Sequence, residues 1–469
     1  MSAPTRTSLS RDDVQRGLRL SVVEGSAFAL MVGLGETYIV ADAIRLGAST
    51  LVLGLLVTLP LFVGSLGPLA SLRVLRGLSR RKGFIATANV LQGLNLAVIG
   101  LSDHQGWTTP LQLLLASTLH QLLGQAAGTA WTSWFGDLIP AVVRGSYVAM
   151  RNRFVYGGVS VGILAGGGLL EWLEPAVGEE GRTGLGFTAI FALAGLARLL
   201  SAVLILRTPE PRFAGIATGA RVKRFLRTAR GSRAWRIVVF GFFLQLTVYV
   251  SGPYYTPYML ENLSFSYVEF TLASLAVTLV KVTMLPAWGR AVDQQGPRAS
   301  YATTCVLLAL VPLPWVFVDS WGWVLLAQAF SGLAWGGYEV SLFGLMVASS
   351  YRDTRTHVSA VQQVVNGAAQ LLGGLLGAGV AATAGGDLTA VFAASCGLRM
   401  VAALAVPFVV PRLRGEEHVH RHTVFLRVVG FRANAGLEHR VLVAPDVPPM
   451  PPDEVLDRAE RDAGEATAG

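Results

Sequence analysis

Six ionisable side chains stand inside stretches of the chain that are otherwise apolar: Glu24, Glu36, Arg198, Lys281, Glu339 and Arg399. A charge at the centre of a membrane helix costs roughly 2.5–3.5 kcal/mol on insertion scales unless it is paired or hydrated, so each of the six needs an account. Counting helical rise from the flanking charges puts Glu24 and Arg198 at one depth and Lys281 and Glu339 at another. Two ion pairs are therefore expected, Glu24 with Arg198 as a structural pair and Lys281 with Glu339 as structural or functional. Glu36 has no partner at its depth and follows the step Gly33-Leu34-Gly35. A carboxylate in a half-dry cavity takes up protons more readily than one in water. Glu36 and Glu339, with Lys281, are accordingly the candidates for proton coupling.

The chemistry of an enzyme is not expected. The chain has no Gly-Lys-Ser/Thr phosphate loop and no nucleophile with a placed base. His418, His420 and His422 read more naturally as a solvated cluster than as metal ligands, and Cys305 and Cys396 fit neither a disulfide framework nor a metal site. No cofactor, metal or catalytic residue is predicted.

The elements that must position these residues follow from composition. The chain is 52% hydrophobic and 14% charged, where an ordinary soluble domain is roughly a quarter charged. A hydrocarbon core about 30 Å thick needs about 20 apolar residues per helix. Windows of that kind fall at 17–41, 49–70, 83–102, 110–136, 147–172, 186–206, 235–260, 267–288, 299–318, 321–349, 357–383 and 388–410. The reading is an all-α membrane protein of twelve transmembrane helices.

Basic residues then give an orientation. With the N-terminus inside, only Arg45 and Arg182 of the 38 Lys and Arg fall in outer loops, three lie within helices, and the remaining 33 are inner. The net charge of +9 therefore reflects topology rather than a nucleic-acid partner. The first window is too long for a secretory signal core and contains two Glu, so it is read as a retained helix. Both termini are expected on the cytoplasmic side of a cell (inner) membrane. The partners expected are the lipid bilayer, a small-molecule substrate and protons, with the chain a monomer.

A basic stretch at 207–234 divides the windows six and six. Gly128-Thr-Ala-Trp131 recurs as Gly332-Leu-Ala-Trp335, the segment from Arg144 aligns with that from Arg355, and Arg198 aligns with Arg399. The expected organisation is a cytoplasmic N-terminal tail (1–16), a six-helix bundle (17–206), a cytoplasmic linker (207–234), a second six-helix bundle (235–411) and a partly disordered cytoplasmic tail (412–469). Such duplicated halves are one recognised transporter plan, with the substrate site between them near the membrane midplane.

After the eighth window, Gly289-Arg-Ala-Val-Asp293-Gln-Gln-Gly296-Pro-Arg298 resembles the short cytoplasmic loop motif of the major facilitator superfamily; the corresponding loop after the second window keeps the basic ending but has no Asp. The resemblance extends over nearly all of the helical part. It implies that helices one, four, seven and ten line a central cavity, making Glu36, His120, Trp131, Gln245, Tyr249, Gln328, Trp335 and Glu339 the candidate cavity residues. It also implies an inner gate built from Asp137, Arg144, Arg151, Gly289, Arg290, Asp293, Gly296 and Arg298, in which Asp293 caps the fifth helix or pairs with Arg144 or Arg151. The fifth window is rich in glycine but lacks the Gly-Pro step of the family's antiporter motif. The function expected is secondary active transport of a small solute, with proton coupling and with efflux preferred to uptake. A non-transporting receptor or sensor on the same scaffold is the alternative.

Overall fold

The structure, a computed structural model, describes residues 10–78, 80–139, 144–173, 184–211, 233–318, 320–349, 355–411 and 428. Twelve long helical segments run through these residues. The first six are α1 (Arg11–Arg45), α2 (Thr50–Leu75), α3 (Lys82–His104), α4 (Pro110–Leu138), α5 (Arg144–Leu173) and α6 (Leu185–Arg207). The second six are α7 (Ala234–Asn262), α8 (Tyr267–Gln295), α9 (Pro297–Val316), α10 (Trp321–Ser349), α11 (Arg355–Thr383) and α12 (Leu388–Val409). Most of the expected N-terminal tail, linker and C-terminal tail lies outside the described residues.

Local sequence explains several helix starts. Thr109 and Gln112 form a reciprocal capping box ahead of α4, with Pro110 at the first helical position where its missing N–H is harmless. Ser266 and Glu269 do the same for α8. Asp387 accepts from the Thr389 N–H at the start of α12, and the hydrogen bonds from Thr389 hold its carboxyl below the usual range. Other helices outrun their apolar windows: α1 begins at Arg11 because Ser10 caps it, and α8 continues to Gln295 as a polar last turn.

Ten of the twelve segments are long and apolar enough to cross a membrane by composition alone; α4 and α10 are the two that fall short. Each has 29 residues, about 43 Å of helix, so length is not what they lack. Their apolarity is diluted by Gln, Thr, Trp, His and Glu, and they occupy equivalent places in the two halves.

The helices form two six-helix bundles that meet where α2 packs on α11 and α5 on α8. At one end, the one expected to lie outside, a single apolar cluster draws from both bundles: Leu34, Tyr38 and Phe187 with Tyr254, Phe270 and Phe392. At the other end the bundles keep separate clusters, one around Ile85, Trp134 and Ile205 and one around Phe240, Trp288 and Leu345. Tyr38 joins the bundles directly. Its hydroxyl donates to the Ile163 carbonyl at 2.5 Å and lies 2.8 Å from Thr271 Oγ1 on α8.

Within the first bundle α1 and α5 touch backbone to backbone. A Cβ on Gly162 would stand 2.8 Å from the Leu30 carbonyl oxygen and 2.9 Å from the Gly33 Cα. Gly33 is thus a packing residue. The break in α1 comes two residues later, where a 3₁₀ turn covers Glu36–Tyr38. Overpacking of this kind costs about 1–3 kcal/mol or more. Gly162→Leu is therefore expected to lower the thermal unfolding midpoint of the detergent-purified protein. Gly157→Leu on the same helix, where a Cβ meets nothing within 4 Å, should leave it within a degree or two.

Candidate functional site

A continuous polar chain runs through the interior of the first bundle. At one end Glu36 Oε1 lies 3.2 Å from His120 Nε2. The His120 carbonyl accepts from Gln92 Nε2 at 2.8 Å, and Gln92 Oε1 accepts from Arg198 Nε at 2.8 Å. Arg198 Nη1 reaches Ser201 Oγ at 3.4 Å; Ser201 Oγ in turn donates to Glu24 Oε1 at 2.9 Å. Glu24 Oε2 accepts from Arg151 Nη2 at 3.3 Å, while Arg151 Nε also donates to the Ser21 carbonyl at 3.2 Å. The break in α1 at Gly35 is what brings Glu36 into this chain, by turning it toward α4.

The direct ion pair expected between Glu24 and Arg198 is therefore replaced by an indirect one through Ser201. Depth along the helices is right for both residues, but Gln92 on α3 takes two of the guanidinium nitrogens and Ser201 the third. Arg151 is the larger correction. Instead of serving a cytoplasmic loop it lies two turns into α5, is 9% exposed, pairs with Glu24, and stacks 4.6 Å above the Trp131 ring and 5.3 Å from that of Phe135. Arg198 lies in the same way 4.9 Å over Phe28. Arginine on an aromatic face gains from both the ring's quadrupole and the apolar surroundings of its stem.

Asn89, Gln92 and Asn95 on α3 are not among the residues expected from sequence, though their spacing of three puts an amide stripe on one helical face. Asn95 Nδ2 donates to the Ala116 carbonyl at 3.0 Å, and Asn89 Nδ2 to Ser201 Oγ at 3.2 Å. The stripe holds α3 to α4 and α6 with groups that need no counter-charge.

The second bundle is organised differently. Lys281 Nζ donates to Glu339 Oε1 at 2.6 Å, with the two side chains 24% and 48% exposed. Gln245 donates to the Tyr338 hydroxyl at 3.1 Å and accepts from Gln370 Nε2 at 3.3 Å. Trp335 packs edge-on against Tyr338 with centroids 5.6 Å apart, Tyr249 flanks the same apolar cluster, and Gln328 is half-buried further along α10. Arg399, 1% exposed, meets no carboxylate among the described residues: its donors go to the carbonyls of Leu308 and Val248 and the hydroxyls of Ser395 and Ser251. The Leu308 carbonyl is available because Pro312, four residues on, has no N–H to give it.

The residues expected to form an inner gate are dispersed. Asp137 pairs with Arg81 Nη1 at 2.6 Å. Arg298 donates to the Val410 and Pro407 carbonyls at 3.1 Å, holding the C-terminal end of α12, where a cation suits the helix dipole. Asp293 and Arg290 are exposed, Gly289 is half-buried, and the Arg144 side chain lies outside the described residues. Gly296 has φ 85° between α8 and α9, a conformation that explains glycine there without any gating role.

Residues 237–432 match the family model of the Major Facilitator Superfamily. That match spans the second six-helix bundle of this chain. Its fold agrees along its length. The nucleoside transporter NupG is similar at a TM-score of 0.64 and 12% identity, over 86% of this chain and 100% of that one. A bacterial homolog of the human lysosomal transporter Spinster, inward-facing and occupied, gives 0.63 and 16% over 89% and 97%. The xylose transporter XylE from E. coli, in a partially occluded inward-open conformation, gives 0.61 and 13% over 87% and 100%. No curated protein sequence matches this chain. The chain thus shares the fold of these multi-pass membrane proteins, with ten helices long and apolar enough to cross a membrane.

The two carboxylates of opposite exposure give a stability contrast. Removing one partner of a buried pair leaves the other charge uncompensated, at about 3–5 kcal/mol, whereas an exposed pair contributes about 0–1 kcal/mol. Glu24→Gln is expected to lower stability to chemical denaturation markedly, and Glu339→Gln to change it little. Equal losses would show that the Arg151 network is not what holds the first bundle.

Proposed function

We propose that this protein is a proton-coupled secondary active transporter that carries a small solute across the cytoplasmic membrane by alternating access, with export as the expected direction. The observation that carries this reading is the unequal closure of the two ends: one apolar cluster shared by both bundles seals one end, and separate clusters leave the bundles independent at the other. With the basic loops inside, the sealed end is extracellular and this is an inward-facing state. Rocking about the α2–α11 and α5–α8 contacts would exchange the sealed end for the open one. The two bundles joined by the 207–234 linker are the moving parts, and both tails are cytoplasmic.

Two acids supply candidate coupling sites. Glu36 meets His120 through a single contact, Oε1 to Nε2 at 3.2 Å, which puts an acid and a base within hydrogen-bond reach of each other at the helix break. Glu339 is half exposed although it stands deep in α10. A charge there facing hydrocarbon would be costly, so its open side is best explained by a water-filled cavity reaching Lys281 and Glu339.

The test is flux in proteoliposomes with an imposed pH gradient. Glu36→Gln with Glu339→Gln is expected to cut gradient-driven transport at least tenfold while leaving solute counterflow, which needs no gradient. Unchanged gradient-driven flux would remove both acids from coupling. Ligand binding with no counterflow in the unmodified protein would make it a sensor.

A further inference from the structure

The repeated Gly-x-Ala-Trp segment does two different jobs. On α10, a Cβ at Gly332 would stand 2.5 Å from the Val277 carbonyl oxygen, so glycine is required there for the close approach of α8. On α4, a Cβ at Gly128 would meet nothing within 4 Å, and the residue is exposed. Packing explains the glycine of the second bundle and leaves that of the first unexplained.

What lies beside Gly128 is a cavity of about 150 Å³ inside the first bundle. An engineered cavity of about that size accepts benzene. Its walls are unlike those of an apolar void. Arg151, Arg198 and Glu24 line it, with the Trp131 and Phe28 rings that the two guanidinium groups stack on. Two cations thus face one anion. Glu24 is engaged by Arg151 and Ser201, and Arg198 is met directly by neutral oxygens of Gln92 and Ser201. Glu36 adds a more distant negative charge from beyond Gln92, where it is committed to His120.

The geometry points to this cavity as a binding site for a small organic monoanion, a carboxylate with a flat or short apolar body, entering past Gly128. Its carboxylate supplies the charge that Arg198 lacks in direct contact, and its body lies between Trp131 and Phe28. The assignment rests on the transporter reading only in making the anion the cargo; binding itself is independent of flux.

Thermal unfolding of the detergent-purified full chain tests it, with benzoate and propionate as carboxylate probes and benzamide and benzylamine as neutral and cationic counterparts at matched ionic strength. The carboxylates are expected to raise the midpoint saturably and the counterparts not to. Gly128→Leu, which replaces a helical glycine without a clash and fills the mouth, should fold with an undiminished midpoint and shift the benzoate dose response at least tenfold. Arg198→Gln should abolish it. Equal stabilisation by benzamide or benzylamine, no stabilisation by either carboxylate, or an unshifted response in Gly128→Leu would overturn the site. Should gradient-driven flux be present without any carboxylate preference, the anion is not the cargo and the transporter reading stands; carboxylate binding without counterflow upholds the site and removes the transport.

Discussion

A guanidinium cannot be left bare in a hydrocarbon layer, and the first bundle is arranged around meeting that requirement twice. Arg151 and Arg198 come from α5 and α6, and the groups that receive them come from α1 and α3, with α4 supplying the aromatic face beneath Arg151. Five helices therefore share one polar interior. The arrangement is stable only as a whole, because Glu24 serves Arg151 directly and Arg198 through Ser201, so loss of the carboxylate reaches both. The backbone contact of Gly33 with Gly162 brings α1 close enough to α5 for Arg151 to reach Glu24.

The second bundle meets the same requirement by another route. Arg399 aligns with Arg198 in the sequence repeat, yet it is satisfied by backbone carbonyls and serine hydroxyls instead of a carboxylate network. Pro312 frees one of those carbonyls, and the other belongs to Val248, just before α7 tightens into a 3₁₀ turn at Gly252–Tyr254. Breaks in two helices become the acceptors for a cation in a third. The repeat thus preserves the position of a positive charge and not its chemistry, which leaves Arg198 within a carboxylate network and Arg399 among neutral acceptors.

Much of the fold is legible in the sequence because membrane helices announce themselves by length and by flanking charge. The starts at Pro110, Tyr267 and Leu388 coincide with their windows because capping residues precede them. Which residues come together is less legible, for a physical reason: helical periodicity fixes depth and face but not what a neighbouring helix inserts. Depth correctly places Lys281 beside Glu339, where Gly332 and Gly336 let α8 come close. It also places Glu24 level with Arg198, and there Gln92 and Ser201 intervene. Arg151 reads as part of the loop because it follows Arg144 by only seven residues, yet two turns of helix carry it into the bundle. The motif around Asp293 resembles a gate in sequence, while in this conformation its Arg298 is spent on the end of α12.

The exposed acid and the buried ones would have different parts in the proposed conformational cycle. Glu24 accepts from both Arg151 and Ser201, so its charge is needed for the bundle to hold. Glu36 sits at a helix break with a histidine as its partner, and Glu339 has an open side; these are the two acids proposed for coupling. The chain from Glu36 through His120, Gln92 and Arg198 still ties the first of these to the ionic interior. A proton gained at Glu36 removes a negative charge from the neighbourhood of Arg198, and the cavity beside Arg198 becomes more positive. In the proposed cycle a proton at Glu36 would favour an anion beside Arg198, and an anion there would favour the proton, so one gradient could drive the other without any direct contact between the two.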